Sequence, residues 1–121
     1  MWHINNLHGE IMLTDDRLCK FDVTNGIVSF SDVDESLPVP WELKDGITKS
    51  SIMDFLLERV TDENRQGLVE SCAAAGIECS AEGLINYNHG LMLDDEYWIR
   101  TKTGPRTFKE LQRLMGFEVS D

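Results

Sequence analysis

The stretch Leu18-Cys19-Lys20-Phe21-Asp22-Val23-Thr24-Asn25-Gly26-Ile27-Val28-Ser29-Phe30 decides the fold. Cys19, Phe21 and Val23 alternate with Lys20 and Asp22, the period of two that places apolar side chains on one face of a strand. Asn25-Gly26 then separates this run from a second apolar one. That dipeptide between two strand-like runs predicts a hairpin with a type I′ turn, whose two central residues both need positive φ. Upstream, Trp2–Leu7 and Glu10–Leu13 are further short apolar-polar mixtures, separated by His8-Gly9. Residues 1–36 are therefore expected to be mainly β.

Downstream the pattern changes. Leu37-Pro38-Val39-Pro40-Trp41 holds two prolines in three residues, which fits neither a helix interior nor a central strand, so 37–49 is expected to be a connector. Trp41 is expected to plug the core there; exposed, it would be a binding anchor. Residues 50–121 read as mainly α. Ser50 or Ser51 caps a helix carrying Ile52, Phe55, Leu56 and Val60 on one face. Thr61 opens a second helix, with Asp62 and Glu63 in its first turn and Leu68, Val69, Cys72 and Ala75 as its buried stripe, ended by Gly76. Ser80 starts a third, which buries Leu84, Ile85 and Tyr87 and closes near Gly90. Thr107 with Glu110 forms a capping box for a fourth, which buries Phe108, Leu111 and Leu114 or Met115. Between the last two, a turn at Asp94-Asp95 leads into a short extended or single-turn segment, Tyr97-Trp98-Ile99, whose aromatic content favours core packing. The expected fold is α+β: an N-terminal antiparallel hairpin or small sheet packed against three or four short helices, in one domain spanning 1–121.

Composition narrows the function. Lys and Arg total 11 against 22 Asp and Glu, a net charge of −11, and the acidity is spread along the chain. Such a surface repels phosphate backbones and disfavours direct nucleic-acid binding, while it steers a basic protein partner toward it. Cys19, Cys72 and Cys79 are an odd number without a C-x-x-C pair, which argues against a disulfide framework and fits a reducing, cytoplasmic setting. No signal-peptide pattern opens the sequence, and no apolar run approaches the roughly 18 residues of a membrane span.

Leu37-Pro38, Phe55-Leu56-Leu57-Glu58-Arg59, Glu63-Asn64-Arg65-Gln66-Gly67-Leu68 and Gly90-Leu91-Met92-Leu93-Asp94-Asp95-Glu96-Tyr97-Trp98-Ile99-Arg100 occur in a distinctive order and spacing. Over roughly residues 35–110 this pattern resembles the N-terminal region of the HipA-like proteins of Firmicutes and their phages. In that family an R-x-x-x-x-N-R-x-G-L helix start precedes an L-S-L-x-D-x-Y-W-I element. Met92 stands here where the family usually has Ser, and Asp94 where a small polar residue is commoner. Full-length relatives of that kind are serine/threonine kinase toxins whose catalytic machinery lies beyond this region. The present sequence has no Gly-rich phosphate loop, no Val-Ala-Ile-Lys strand and no His-Arg-Asp or Asp-Phe-Gly element. The resemblance thus implies a non-catalytic, protein-contacting module from a phage or other mobile element.

Candidate chemistry is sparse. Asp94-Asp95-Glu96 is the densest carboxylate cluster, but three consecutive residues do not converge on one cation, and no metal or cofactor is expected. His3, His8 and His89 share no ligand spacing with the cysteines. Cys72 lies on an apolar stripe and is expected buried and inert, Cys79 exposed. Arg100, Lys102, Arg106, Lys109 and Arg113 form a basic cluster, expected to be a solvated helix face or to pair with the acidic turn. The expected function is non-enzymatic binding of a host or cognate protein that is itself basic or nucleic-acid-handling, in the narrower form as a nucleic-acid mimic of the anti-CRISPR kind. The alternative is a toxin–antitoxin component engaging a HipA-like kinase subunit. The residues assigned to the interface are acidic: Asp15 and Asp16; Asp32, Asp34 and Glu35; and Asp94, Asp95 and Glu96.

Overall fold

A computed structural model describes residues 2–60, 64–92 and 95–117. The hairpin forms where its sequence requires: β2 (Asp16–Thr24) and β3 (Ile27–Ser31) pair antiparallel. Asn25 and Gly26 join them at φ 51° and 78°, the positive pair of a type I′ turn. Strand β1 (Leu7–Leu13) runs through His8-Gly9 without a break, correcting the expectation of two short pieces. Tyr97-Trp98-Ile99 belongs to a fourth strand, β4 (Tyr97–Arg100), which pairs antiparallel with β1. The four strands lie in the order β3-β2-β1-β4, so the fold is α+β. Helices α1 (Lys49–Glu58), α2 (Leu68–Ala75), α3 (Ala81–Asn88) and α4 (Phe108–Leu114) complete the described residues, with a 3₁₀ turn at Trp41–Leu43.

The sheet is covered on both faces, but unequally. Strand alternation puts Leu7, Ile11, Cys19, Phe21, Val23 and Ile99 on one face, where they pack with Ile52, Phe55 and Leu56 of α1 and Ile85 of α3. Met12 and Trp98, which pair across β1 and β4, point the other way and are buried under Leu111 of α4. Helix α4 covers only that end; beyond it, the second face carries polar side chains. A bulge preserves this sorting. Ile11 pairs with Cys19 but Met12 with Arg17, so Leu18 is an extra residue in β2. Without it Arg17 would alternate onto the core face; with it Arg17 stays on the polar face and Leu18 is buried.

Several local expectations change. Trp41 is 75% exposed, while Pro40 and Leu43 are buried in its place. In a turn with three residues per revolution, Leu43 facing inward rotates Trp41 outward. Thr48, not Ser50 or Ser51, caps α1, and Ser51 closes a reciprocal capping box. Thr61, Asp62 and Glu63 lie outside the described residues; α2 starts at Leu68 after Gly67, which has φ 81°. This two-turn helix buries only the i, i+4 pair Leu68 and Cys72, leaving Val69 and Ala75 exposed. Ser80 caps α3 as expected, with Leu84 and Ile85 buried, but Tyr87 is exposed on the solvent side. Thr107 caps α4, although the Glu110 carboxylate accepts from the N–H of Arg106, one residue before the cap. Leu114 is exposed, and Met115 packs beside Leu111. Tyr97, Trp98 and Ile99 are all buried, and each polar tip is satisfied: Tyr97 Oη donates to Pro38 O at 2.8 Å and Trp98 Nε1 to Thr14 O at 2.7 Å.

Candidate binding surfaces

The uncovered part of the second sheet face is a groove of about 670 Å³. Its centre is Glu10, near the middle of β1 and only 17% exposed. Cross-strand pairing aligns Glu10 with Lys20 on one side and Arg100 on the other. Arg100 Nε and Nη2 donate to the Glu10 carboxylate at 2.9 and 3.1 Å, and Arg17 Nη1 donates at 3.1 Å. Arg106 Nη2 stands 3.8 Å from the same carboxylate. The Arg100 hydrogen bonds hold Glu10 below the usual carboxylate range, against burial that pushes upward and with further help from Arg17. Lys20 Nζ pairs with Asp32 at 3.2 Å. At the far end His8 Nδ1 hydrogen-bonds the carboxylate of Asp22; the Thr24 hydroxyl, and then His8, lower the Asp22 pKa.

Five of the 11 basic residues line this groove: Arg17, Lys20, Arg100, Lys102 and Arg106. The basic cluster read in the sequence is therefore split. Arg100, Lys102 and Arg106 turn into the groove, whereas Lys109 and Arg113 sit on exposed positions of α4. Arg100 pairs with Glu10. Arg17 and Lys20 were not associated with the cluster by sequence, because the β1–β2 pairing that sets Lys20 beside Glu10 is not fixed by the Asn25-Gly26 hairpin.

A second surface has the opposite sign. The exposed Trp41 ring lies beside the outer face of α1, in an open hollow of about 710 Å³. Four carboxylates, Glu42, Asp45, Asp54 and Glu58, share that hollow. Lys44 Nζ sits over the indole, 3.3 Å from the ring centroid. The prolines were legible in sequence, but neither the acidic face of α1 nor the outward rotation of Trp41 was read there.

The acidic residues singled out in sequence have mixed roles. The β1–β2 turn carries Asp15, Asp16 opens β2, and β4 pairing brings Glu96 to the same end of the sheet, where Glu96 O accepts from Thr14 N at 3.1 Å. Asp15 accepts from Phe108 N at 2.7 Å, anchoring the start of α4. Asp32 is engaged with Lys20, and Asp34 accepts from Ser36 N and Oγ at 3.0 and 2.6 Å, closing a local turn. Asp34 is bonded through its N–H to Leu18 O, which brings Asp34 and Glu35 alongside β2. Asp95 is bound to Arg59 at 2.7 and 2.8 Å. Asp16, Glu35 and Glu96 are exposed, and Asp94 lies outside the described residues.

The remaining reactive groups are quiet. Cys19 is buried and its thiol pushed up to about 11. Burial also raises Cys72, with a further rise from its hydrogen bond to the exposed Cys79. His89 is buried, its Nδ1 meets no partner, and burial lowers its pKa. Among the described residues no three His, Cys, Asp or Glu side chains are placed to hold a metal ion, and no helix is long and apolar enough to cross a membrane.

Comparison with known proteins identifies no matching family model, no matching curated protein and no matching solved structure. The likeness to HipA-like N-terminal regions thus rests on its motif residues.

Proposed function

We propose that this chain is a non-enzymatic module that binds a basic protein, with Trp41 as the anchor of the contact. One observation carries this reading: a 75% exposed tryptophan set among four carboxylates. Tryptophan is the residue type most enriched at the energetic centres of protein interfaces, and a charged rim around it selects partners of opposite sign. Lys44 already rests on the ring, so the indole face accepts a cation. An arginine or lysine from a partner could take that place while its neighbours meet Glu42, Asp45, Asp54 and Glu58. The net charge of −11 would speed the encounter at low salt. A nucleic-acid-mimicking inhibitor is the narrower form of this reading, with Asp16, Glu35 and Glu96 as further acids facing solvent.

The test is capture of partners from a lysate of the encoding organism, with wild-type chain, Trp41→Ala and the combined Glu42→Gln, Asp45→Asn, Asp54→Asn, Glu58→Gln variant. A basic protein held by wild type, released at high salt and lost with both variants supports the reading. Equal capture by Trp41→Ala overturns the assignment of the anchor. A kinase-like protein retained at high salt supports instead the toxin–antitoxin setting.

A further inference from the structure

We propose that the groove on the open sheet face is a binding site for a small organic phosphate, separate from the Trp41 surface and sharing no residue with it. The first argument is charge. The five groove cations face three carboxylates, Glu10, Asp22 and Asp32, with Glu110 at the rim on the Arg106 backbone, leaving a local excess of one to two positive charges in a protein of net charge −11. Charges farther away than a Debye length of about 8 Å at physiological ionic strength are largely screened, so the local excess governs a ligand inside the groove. A phosphate monoester, at about −1.5 to −2 near neutral pH, matches that excess.

The second argument is the geometry of the donors. Glu10 is an organiser: its half-buried carboxylate gathers guanidinium groups from β2, from β4 and from the loop after β4. One carboxylate does not satisfy them all. Arg106 Nη2 is 3.8 Å from Glu10, and Arg17 Nη2 is 3.7 Å from Asp32, both beyond hydrogen-bond reach. These two guanidinium groups keep N–H donors for an incoming anion, and planar forks from different elements suit a tetrahedral group with three acceptor oxygens. Lys102 is exposed at the rim, and Ser31, paired with Lys20, and Ser29, paired with Asp22, line the wall.

The third argument is size. A groove of about 670 Å³ falls within the range of roughly 300–1,000 Å³ that holds small ligands. A long polyanion would have to run out of the groove onto the surrounding acidic surface, which favours a small ligand over nucleic acid.

Isothermal titration of the full chain with inorganic pyrophosphate as probe tests the site. Saturable one-to-one binding that weakens with added salt is expected. Arg17→Gln, Arg106→Gln and Lys102→Gln should each weaken it about tenfold, the scale of a lost charge-assisted contact. Lys49→Gln, which removes an equal charge outside the groove, and Trp41→Ala should leave it unchanged. The exposed Lys102 keeps the test decisive if either arginine variant fails to fold. Absence of saturable binding, equal weakening by Lys49→Gln, or tighter binding of a single-stranded oligonucleotide than of pyrophosphate would each overturn the proposal. Capture of a basic protein through Trp41 is read separately, so failure of one site leaves the other standing.

Discussion

Arg59 and Asp95 meet fork to fork: Nη1 to Oδ1 at 2.8 Å and Nη2 to Oδ2 at 2.7 Å, with the arginine side chain only 1% exposed. This pair fastens the C-terminal end of α1 to the entry of β4. Asp95 Oδ1 also accepts from Tyr97 N at 3.1 Å, and the guanidinium lies over the Phe55 ring, 4.5 Å from its centroid. The pair joins two segments 36 residues apart in sequence.

Arg59 is buried but Asp95 is 30% exposed, so Arg59→Ala loses two charge-assisted hydrogen bonds and leaves a partly solvated carboxylate, and is expected to destabilise the fold by about 2 kcal/mol. Arg59→Lys should recover little, because a point charge cannot replace two parallel N–H bonds. Urea unfolding with a shared m-value measures both. A loss below about 1 kcal/mol for Arg59→Ala would show the pair to be dispensable.

Gly9 lies on β1 against the backbone of β4. A Cβ there would stand 2.8 Å from the backbone oxygen of Arg100, a fixed atom that cannot swing aside. Gly9→Ala should therefore push β4 away and destabilise by about 1–3 kcal/mol, as overpacking does. Because Arg100 is drawn with β4, the same substitution should disturb the guanidinium cluster on Glu10. Thermal unfolding, together with pyrophosphate titration of the folded variant, checks both consequences.

Acid should weaken the protein in two steps. Burial lowers His89 from its ordinary 6.5, so the unfolded chain takes up this proton first. Stability is full above 6.5 and falls as pH descends from there toward the folded value. Glu10 is held below its ordinary 4.5 by its arginines, so a second loss begins below 4.5. His89→Asn should flatten the first step, since asparagine tolerates the φ of 58° at this helix end. Denaturation midpoints across the acid range, for wild type and variant, decide it; a first step unchanged in His89→Asn would assign it to another group.

Much of the frame was readable from local signals. Asn25-Gly26, Ser80 and Thr107 each act through their own backbone neighbourhood, and each holds the position read for it. What escaped depends on contacts distant in sequence. Tyr97-Trp98-Ile99 is too short to show a period, and only pairing with β1 makes it a strand. Trp41 looked like core because tryptophan is apolar, but its placement follows from the packing of Leu43. The acids were legible as acids, yet not as separate kinds: Asp15 holds the first N–H of α4, Asp95 holds an arginine, and Asp16 faces water. The cationic groove was hidden for the same reason, since the sheet assembles it from positions 17, 20, 100, 102 and 106.

The pairing of Glu10 with Arg100 has a consequence for synthesis. The β1–β2–β3 meander can form as soon as its short turns have left the ribosome. Strand β1, however, keeps one edge open until residue 100 emerges, because its neighbour there is β4. During that interval the backbone of Leu7–Leu13 offers unpaired N–H and C=O groups, and Met12 has no lid. Translation speed through residues 32–96, the span between β3 and β4, therefore sets how long a nascent chain presents a sticky strand to its neighbours.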